Sequence, residues 1–316
     1  MDAVKIGKAI QFLRKRAGYT QLELAERLVV SDKAVSRWER GIGIPDISLL
    51  RRISIILDTD IDSLLEGTVA VHEDSWKGLL YADFPVETII YDKPLIDYLL
   101  SYFLLSKVRD IIVFSQKAQL DFMLSRYGTG ESLGVNLTFF EADAEASISI
   151  EKHKDIFASG SVMAVYGPCV LYGVDLTRFL RRGMLGEEGV KALLTVKDDE
   201  RAEVFMNDGK AVMWSAENNS VSTRYHYCML PFLYSRDGIG KLLGQYDSME
   251  ELVHQLIDKG QLFAEALDKG YVDFSIKSDE EALVASTFIA IVQRQTKTAV
   301  CCPKEIAVRR ALIAEK

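Results

Sequence analysis

Cationic and polar side chains cluster in a short N-terminal segment, SDKAVSRWERG at positions 31–41. In a helix, Val35 and Trp38 would share an inward face. The outward positions would then carry Lys33, Ser36, Arg37 and Arg40. Such side chains can donate hydrogen bonds to guanine O6 and N7, and Ser31 is a favourable N-cap at a helix end that attracts phosphate. The pattern predicts a helix that contacts DNA.

The apolar spacing around this segment predicts the helices that must hold it. Upstream, the stretch 20–28 begins with a second N-cap, Thr20, and places Leu24, Ala25 and Leu28 on one stripe, so the two helices form a helix-turn-helix. Three more short helices are predicted, one with Ile6, Ile10 and Leu13 inward and closed by Gly18, one opened by Pro45, and one capped by Asp60. We expect an all-α five-helix domain.

The segment from Ile6 to Glu66 resembles the Cro/C1 (XRE-type) helix-turn-helix family, in its Thr20-Gln21 start, Ser31 cap and SRWERG ending. The resemblance implies that Gln21 and Ser31 hold phosphates. It also implies that four side chains reach base edges in the major groove, namely Asp32, Lys33, Ser36 and Arg37. One alternative stays open, in which the unit packs only against protein.

One position departs from that family. Where the family often has glycine in the turn between the two helices, this chain has Val29. A β-branched residue resists positive φ, so we expect a differently shaped turn.

Length and charge favour two domains. The chain has 316 residues, with 38 basic and 46 acidic side chains, of which residues 1–67 hold 11 and 10. The remainder therefore has 27 and 36, a net charge of about −9 that disfavours wrapping nucleic acid. We predict a DNA-binding domain at 1–67, a linker at 68–75 and an α/β domain at 76–316.

Composition also limits the class of protein. The four cysteines form no CxxC pair and only four histidines are present, so we expect neither a zinc site nor a disulfide framework. No apolar run approaches the roughly 20 residues that span a bilayer, and the N-terminus is amphipathic. We therefore expect a cytoplasmic protein without a membrane partner.

From Trp76 onward, apolar β-prone runs alternate with helical patterns, which predicts a doubly wound, mainly parallel (Rossmann-like) sheet. The predicted strands lie at 78–82, 110–114, 136–141 and 161–167, and the helices at 94–106, 116–126 and 144–157. Later strands at 191–197, 201–206, 211–216 and 224–234 predict an antiparallel extension. The expected fold is completed by three helices, which begin at 238, begin at 248 and span 279–295. It also contains a strand pair at 262–267 and 271–275.

This second region is similar to the sugar-nucleotide pyrophosphorylases and resembles the glucose-1-phosphate thymidylyltransferases among them. The matching segments are YDKPLI at 91–96, GVNLTFFE at 134–141, YGVDLTRFL at 172–180, LVASTFIAIVQRQ at 283–295 and CPKEIAVRR at 302–310. The resemblance implies a fold that joins a nucleoside triphosphate to a sugar 1-phosphate. That chemistry requires a glycine-rich phosphate loop, Arg and Lys, and carboxylates that bind Mg²⁺.

The residues required for that chemistry are absent at the matching positions. The connection at 83–90, after the strand that ends at Ala82, contains no glycine, arginine or lysine. The two metal-binding aspartates of the family match Pro168 and Ser275, with Asp273 as a rival for the second. The sugar-binding Glu-Lys pair matches Ala216 and Glu217, and the base-contacting glutamine matches Ser147. Asp175 could replace a lost carboxylate, although an N-cap role is favoured.

We therefore expect a transcriptional regulator that binds a double-stranded DNA operator as a homodimer. The expected second domain is not an enzyme, has no catalytic or metal-binding residues and no cofactor, and either senses a nucleotide, nucleotide sugar or sugar phosphate or only dimerises. Its expected pocket positions are Ala82, Ser147, Pro168, Glu217 and Ser275. The alternative is an active nucleotidyltransferase with an autoregulatory DNA-binding domain.

Overall fold

A computed structural model describes most of the chain. The described residues are 2–16, 19–57, 59, 61–67, 76–142, 153–157, 160–173, 175–184, 189–197, 204–207, 210–214, 226–236, 239, 242, 249–266, 270–310 and 312–313. The chain divides into two compact units, residues 1–73 and 74–316. The proposed linker, 68–75, lies outside the described residues, as do Gly18 and Asp60.

The first unit is helical, as predicted. Its described helices are α1 (Ala3–Arg16), α2 (Gln21–Leu28), α3 (Asp32–Glu39), α4 (Ile47–Ile56) and α5 (Ile61–Glu66). The apolar stripes of these helices meet in one core, in which Ile10, Leu24, Leu28, Val35 and Ile53 are fully buried. Burial of these stripes is what holds such short helices, which would be marginal in isolation.

Side-chain caps set where the two central helices begin. Thr20 and Glu23 form a reciprocal capping box at the start of α2, and the Ser31 hydroxyl oxygen accepts a hydrogen bond from the Ala34 amide. The expectation of a differently shaped turn was wrong. Val29 adopts φ +59° and ψ +47°, the left-handed conformation that a glycine would take there. The tertiary packing of α2 on α3 imposes this geometry on a β-branched residue, at an expected cost of about 1–2 kcal/mol.

The second unit is built on a nine-stranded mixed sheet, which confirms the α/β fold class. Its strands are β1 (Lys77–Ala82), β4 (Asp110–Ser115), β5 (Asn136–Glu141), β6 (Val162–Val165), β8 (Val190–Lys197), β9 (Val204–Asn207), β10 (Lys210–Trp214), β11 (His226–Ser235) and β12 (Leu262–Ala266). The order across the sheet is β5-β4-β1-β6-β11-β8-β12-β10-β9. Strands β5, β4, β1 and β6 are parallel, and β11 runs antiparallel to both β6 and β8.

Helices cover this sheet. They are α6 (Leu95–Leu105), α7 (Lys117–Tyr127), α8 (Leu176–Arg182), α9 (Met249–Asp258), α10 (Asp279–Thr296) and α11 (Pro303–Arg309). The residues of α6 from Leu95 to Leu104 are all buried, so this helix lies inside the unit. Its largely apolar sequence is therefore a core feature.

The strands predicted at 262–267 and 271–275 are both present, but the prediction that they form a pair was wrong. β12 lies between β8 and β10 in the large sheet, so neither of its edges is open to a further strand. The next strand, β13 (Tyr271–Ser275), instead pairs antiparallel with β7 (Cys169–Gly173), a strand that the sequence did not reveal. Two very short strands, β2 (Ile89–Ile90) and β3 (Lys93–Pro94), also pair and were not predicted.

The helix predicted at 144–157 falls mostly outside the described residues, and its end, Lys154–Phe157, forms a 3₁₀ turn. Within the part of the chain that the structure describes, no helix is both long enough and apolar enough to cross a membrane.

Candidate functional site

The outward face of α3 carries the predicted DNA-contacting side chains. Asp32, Lys33 and Arg37 are exposed and Ser36 is half-buried, whereas Val35 and Trp38 on the opposite face are buried in the core. Burial of Val35 and Trp38 fixes the rotation of α3, so the polar side chains must face solvent. The structure thus brings these four predicted residues together on one turn-and-a-half of exposed helix surface.

Gln21, the predicted phosphate contact at the start of α2, is held by a network that sequence reasoning missed. Its amide nitrogen donates to Oε2 of Glu39, at 2.7 Å. Glu39 in turn accepts two hydrogen bonds from Arg14, at 2.5 Å from Nε and 3.0 Å from Nη2. A third Arg14 nitrogen donates to the Tyr19 carbonyl, at 2.6 Å. The network connects α1, the start of α2 and the end of α3, and it orients the Gln21 side chain.

Both charged members of this network are buried. Burial raises the pKa of the Glu39 carboxyl, but hydrogen bonds from Arg14 and Gln21 outweigh it and leave that pKa below the ordinary value. The hydrogen bond to Glu39 likewise raises the pKa of Arg14. The pair is therefore ionised at neutral pH. The partners lie 25 residues apart, and no local pattern in the sequence identifies them as a pair.

The second candidate site lies at the carboxyl end of β1, where parallel α/β sheets bind ligands. Ala82 ends this strand and is fully buried, and its carbonyl accepts a hydrogen bond from the Ser115 hydroxyl at the end of β4. The connection that follows folds onto the N-terminus of α6. There the amides of Leu95 and Ile96 donate to the carbonyls of Thr88 and Val86, at 2.8 and 3.1 Å.

These two hydrogen bonds limit what the N-terminus of α6 can bind. The first amides of a helix are the usual donors to a phosphate group. Here the backbone of the connection occupies two of them, and the Val86 side chain is buried in the core of the unit. The N-terminus of α6 therefore has these two donors already satisfied within the chain.

The positions that match the two metal-binding aspartates lie next to each other. Ser275 pairs with Cys169 across β13 and β7, and the amide of Ile276 donates to the Pro168 carbonyl at 2.7 Å. Tyr102 of α6 also binds β7. Its hydroxyl donates to the Cys169 carbonyl at 3.3 Å and accepts from the Leu171 amide at 2.8 Å.

The residues at this junction do not fit a magnesium ion. Proline has no side-chain oxygen that could bind a metal ion, and the Ser275 hydroxyl is neutral. Mg²⁺ is usually held by the charged oxygens of carboxylates. Asp273, the rival, lies two residues before Ser275 on β13 and is paired with Leu171. Among the described residues, no group of three or more His, Cys, Asp or Glu side chains is placed to hold a metal ion.

Of the remaining predicted positions, only Asp175 lies among the described residues. The Asp175 carboxylate accepts a hydrogen bond from the Arg178 amide at 3.4 Å, which makes it the N-cap of α8. Ser147, Ala216 and Glu217 lie outside the described residues. Of the five predicted pocket positions, the structure describes Ala82, Pro168 and Ser275. Pro168 and Ser275 are neighbours, because Ser275 pairs with Cys169 and the Ile276 amide donates to the Pro168 carbonyl.

Comparison with known proteins gives a relative for each unit. Residues 10–64 match the helix-turn-helix family model. The chain is 41% identical over 64 residues to the HTH-type transcriptional activator BcrR of Enterococcus faecalis. The matched segment covers 20% of this chain and 31% of that protein. This first unit is a helix-turn-helix DNA-binding domain.

The larger unit has a different set of relatives. The chain is 30% identical over 241 residues to a glucose-1-phosphate thymidylyltransferase of Mycolicibacterium smegmatis, covering 71% of this chain and 81% of that protein. A solved structure assigned as a glucose-1-phosphate thymidylyltransferase from Bacillus anthracis matches in fold, with a TM-score of 0.55 and 13% identity, over 67% of this chain and 94% of that one. The chain therefore belongs to the glucose-1-phosphate thymidylyltransferase family and carries, in addition, an XRE-type helix-turn-helix domain at its N-terminus.

Proposed function

We propose that this protein is a sequence-specific transcriptional regulator whose nucleotidyltransferase-like domain has lost catalysis. The observation that carries the DNA-binding part is the exposed donor face of α3, held outward by the buried side chains of Val35 and Trp38. In this proposal Gln21 and Ser31 bind phosphates. The side chains that contact base edges are Asp32, Lys33, Ser36 and Arg37.

The loss of catalysis rests on two features of the second unit. The Leu95 and Ile96 amides are occupied by carbonyls of the preceding connection, so they do not offer the donors that a triphosphate requires. Pro168 and Ser275 replace two carboxylates, so no magnesium-dependent step is assigned to this unit. Transition-state stabilisation demands more precisely placed groups than binding does, and a fold can keep a ligand after it loses a reaction.

The role proposed for the second unit is therefore sensing or dimerisation. The proposed pocket positions are Ala82, Ser147, Pro168, Glu217 and Ser275. The proposed ligand is a nucleotide, nucleotide sugar or sugar phosphate. We further propose domain limits of 1–67 and 76–316 with a linker between them. A regulator of this kind acts on chromosomal DNA, so the proposed location is the cytoplasm.

Two measurements on the intact chain test the proposal. Selection from a random DNA library, followed by footprinting, should yield one operator with two half-sites spaced about 34 Å apart. A panel of nucleoside triphosphates and sugar 1-phosphates with Mg²⁺ should give no pyrophosphate. Turnover on any pair would instead support an active nucleotidyltransferase with an autoregulatory DNA-binding domain. Failure to enrich any DNA sequence would overturn the regulator proposal.

A thermal-shift series separates sensing from dimerisation alone. A ligand at 100 times its dissociation constant should stabilise the second unit by roughly 2.7 kcal/mol. Nucleotides, nucleotide sugars and sugar phosphates are the panel, and no shift from any of them would leave dimerisation as the remaining role.

A further inference from the structure

Helix α10 exposes an apolar stripe to solvent. Leu283, Val284 and Ile291 are 67%, 53% and 56% exposed. At 100° per residue these side chains and Thr287 fall within about 100° of helix surface. A continuous exposed apolar face of this kind usually marks a surface that binds a partner.

A charged side chain lies at each end of this stripe, and the two charges have opposite signs. Glu280 lies seven residues before Thr287, and Arg294 lies seven residues after it, on the same face. Leu283 and Ile291 lie four residues before and after Thr287. Within the described part of the chain, neither the Glu280 carboxylate nor the Arg294 guanidinium has a hydrogen-bond or ion-pair partner. The stripe is therefore self-complementary about Thr287.

The opposite side of α10 fixes this face to the body of the unit. Ala282, Ala285 and Ile289 are buried there. The Ser286 hydroxyl accepts a hydrogen bond from the Tyr91 amide at 2.9 Å, and the Gln293 side chain donates to Asp92 at 3.0 Å. The stripe is consequently presented on a rigid support, which lowers the entropic cost of binding a partner.

The short hairpin beside α10 extends the exposed apolar surface. Ile89 is 59% exposed and Tyr91 is 40% exposed, and both belong to the hairpin segment that is hydrogen-bonded to α10 through the Tyr91 amide. An interface centred on α10 can therefore continue onto these two side chains. This matters because a helix of 18 residues is only about 27 Å long and would give a narrow contact by itself.

We propose that the α10 stripe is the homodimer surface of this protein, with two copies of α10 packed antiparallel across a two-fold axis at Thr287. In that arrangement Leu283 of one copy contacts Ile291 of the other. Glu280 of each copy faces Arg294 of its partner, so two ion pairs form by one symmetry operation. A partner of unrelated sequence would not need this inverted spacing of charge and apolar side chains, and that is why a second copy is favoured.

The inference deepens the proposed regulator function, because one recognition helix covers only a half-site and an operator needs two. The test measures association of the intact chain without DNA, by sedimentation equilibrium. The wild type should be a dimer. Glu280→Arg and Arg294→Glu should each weaken the dimer by at least about tenfold, since each places two like-charged pairs in the interface. The double variant Glu280→Arg/Arg294→Glu should recover most of the wild-type affinity.

A matched pair of apolar substitutions tests the stripe itself. Leu283→Asp should abolish the dimer, whereas Leu124→Asp on α7, at a similarly exposed position, should leave it intact. Circular dichroism checks that each variant is folded.

A crosslink tests the symmetry axis. Packed helices lie about 8–10 Å apart, which brings Cα atoms at the crossing to about 5 Å, within reach of a disulfide. Thr287→Cys should therefore form a covalent dimer on oxidation, and Leu124→Cys should not.

The outcomes separate this inference from the proposed function. A monomeric wild type, a dimer unaffected by Leu283→Asp, or charge variants that the double swap does not rescue would each overturn the α10 interface. Loss of operator binding in a chain that still dimerises through α10 would overturn the regulator function and leave the interface standing.

Discussion

Arg14 and Glu39 form a bidentate ion pair inside the helical unit, with side chains only 9% and 1% exposed. Because Glu39 also accepts a hydrogen bond from Gln21, the pair connects the stability of the unit to the orientation of a proposed phosphate contact. A buried pair of this kind contributes less by its own attraction than by the penalty that appears when one partner is removed.

Removal of Glu39 is expected to be costly. Glu39→Ala leaves the Arg14 guanidinium buried without a counter-charge, so the helical unit should lose about 3–5 kcal/mol of unfolding free energy. Amide hydrogen exchange in α1 and α3 of the intact chain measures this loss. Glu26→Ala, at an exposed position of α2, is the control and should change little. A loss below about 1 kcal/mol would contradict the role of the pair.

The same carboxylate predicts a pH dependence. Its folded-state pKa is lowered from an ordinary value of 4.5, so its contribution to stability is present above about pH 4.5 and is lost as the pH falls through the lowered pKa. The difference in unfolding free energy between wild type and Glu39→Gln should therefore shrink in acid. Hydrogen exchange at a series of pH values from 7 to about 3 checks it, and a difference that grows in acid would have the wrong sign.

Two substitutions on the DNA face should behave differently. Arg37→Ala should relax base preference at one position of each half-site, by about 1–3 kcal/mol. Gln21→Ala should weaken binding to all sequences alike, because a phosphate carries no sequence information. Binding measured on the operator and on its single-base variants distinguishes the two. An Arg37→Ala protein with an unchanged footprint and affinity would show that α3 does not use this face.

Relief of backbone strain predicts a stabilising substitution. Val29 has positive φ and is 78% exposed, so Val29→Gly removes strain and loses little packing. Glycine also adds conformational entropy to the unfolded chain, which offsets part of this effect. We therefore expect the unfolding free energy to rise by about 0.5–1 kcal/mol. Thermal unfolding and hydrogen exchange measure it. The control Val4→Gly, within α1, should instead destabilise by about 0.3–0.5 kcal/mol, the difference in helix propensity between valine and glycine.

The hydroxyl of Tyr102 should be needed to hold β7. Tyr102→Phe leaves the buried Leu171 amide without its acceptor, at a cost of about 1–3 kcal/mol in the second unit. Chemical denaturation followed by near-UV circular dichroism measures the change. Tyr91→Phe, at a partly exposed position, serves as the control. Equal stability of the Tyr102 and Tyr91 variants would argue against this anchoring role.

The sequence alone determined the elements with strong local signals. Ser31 and Thr20 mark helix starts because an N-cap oxygen binds amides only a few residues away. The buried faces of α1 to α3 follow from helical spacing, and β1 and β4 follow from apolar runs that are buried in a parallel sheet. The resemblance to two families rests on the same local information, and the comparisons confirm it.

Tertiary structure decided the features that depend on distant partners. The pairing of Arg14 with Glu39, the pairing of β13 with β7, and the occupation of the α6 amides by Val86 and Thr88 all depend on which edges and donors the folded chain leaves open. The left-handed conformation of Val29 is a further case, because packing of α2 on α3 outweighs a local preference of 1–2 kcal/mol or so. Local sequence specifies how each segment prefers to fold, and only the assembled core determines which contacts remain available to it.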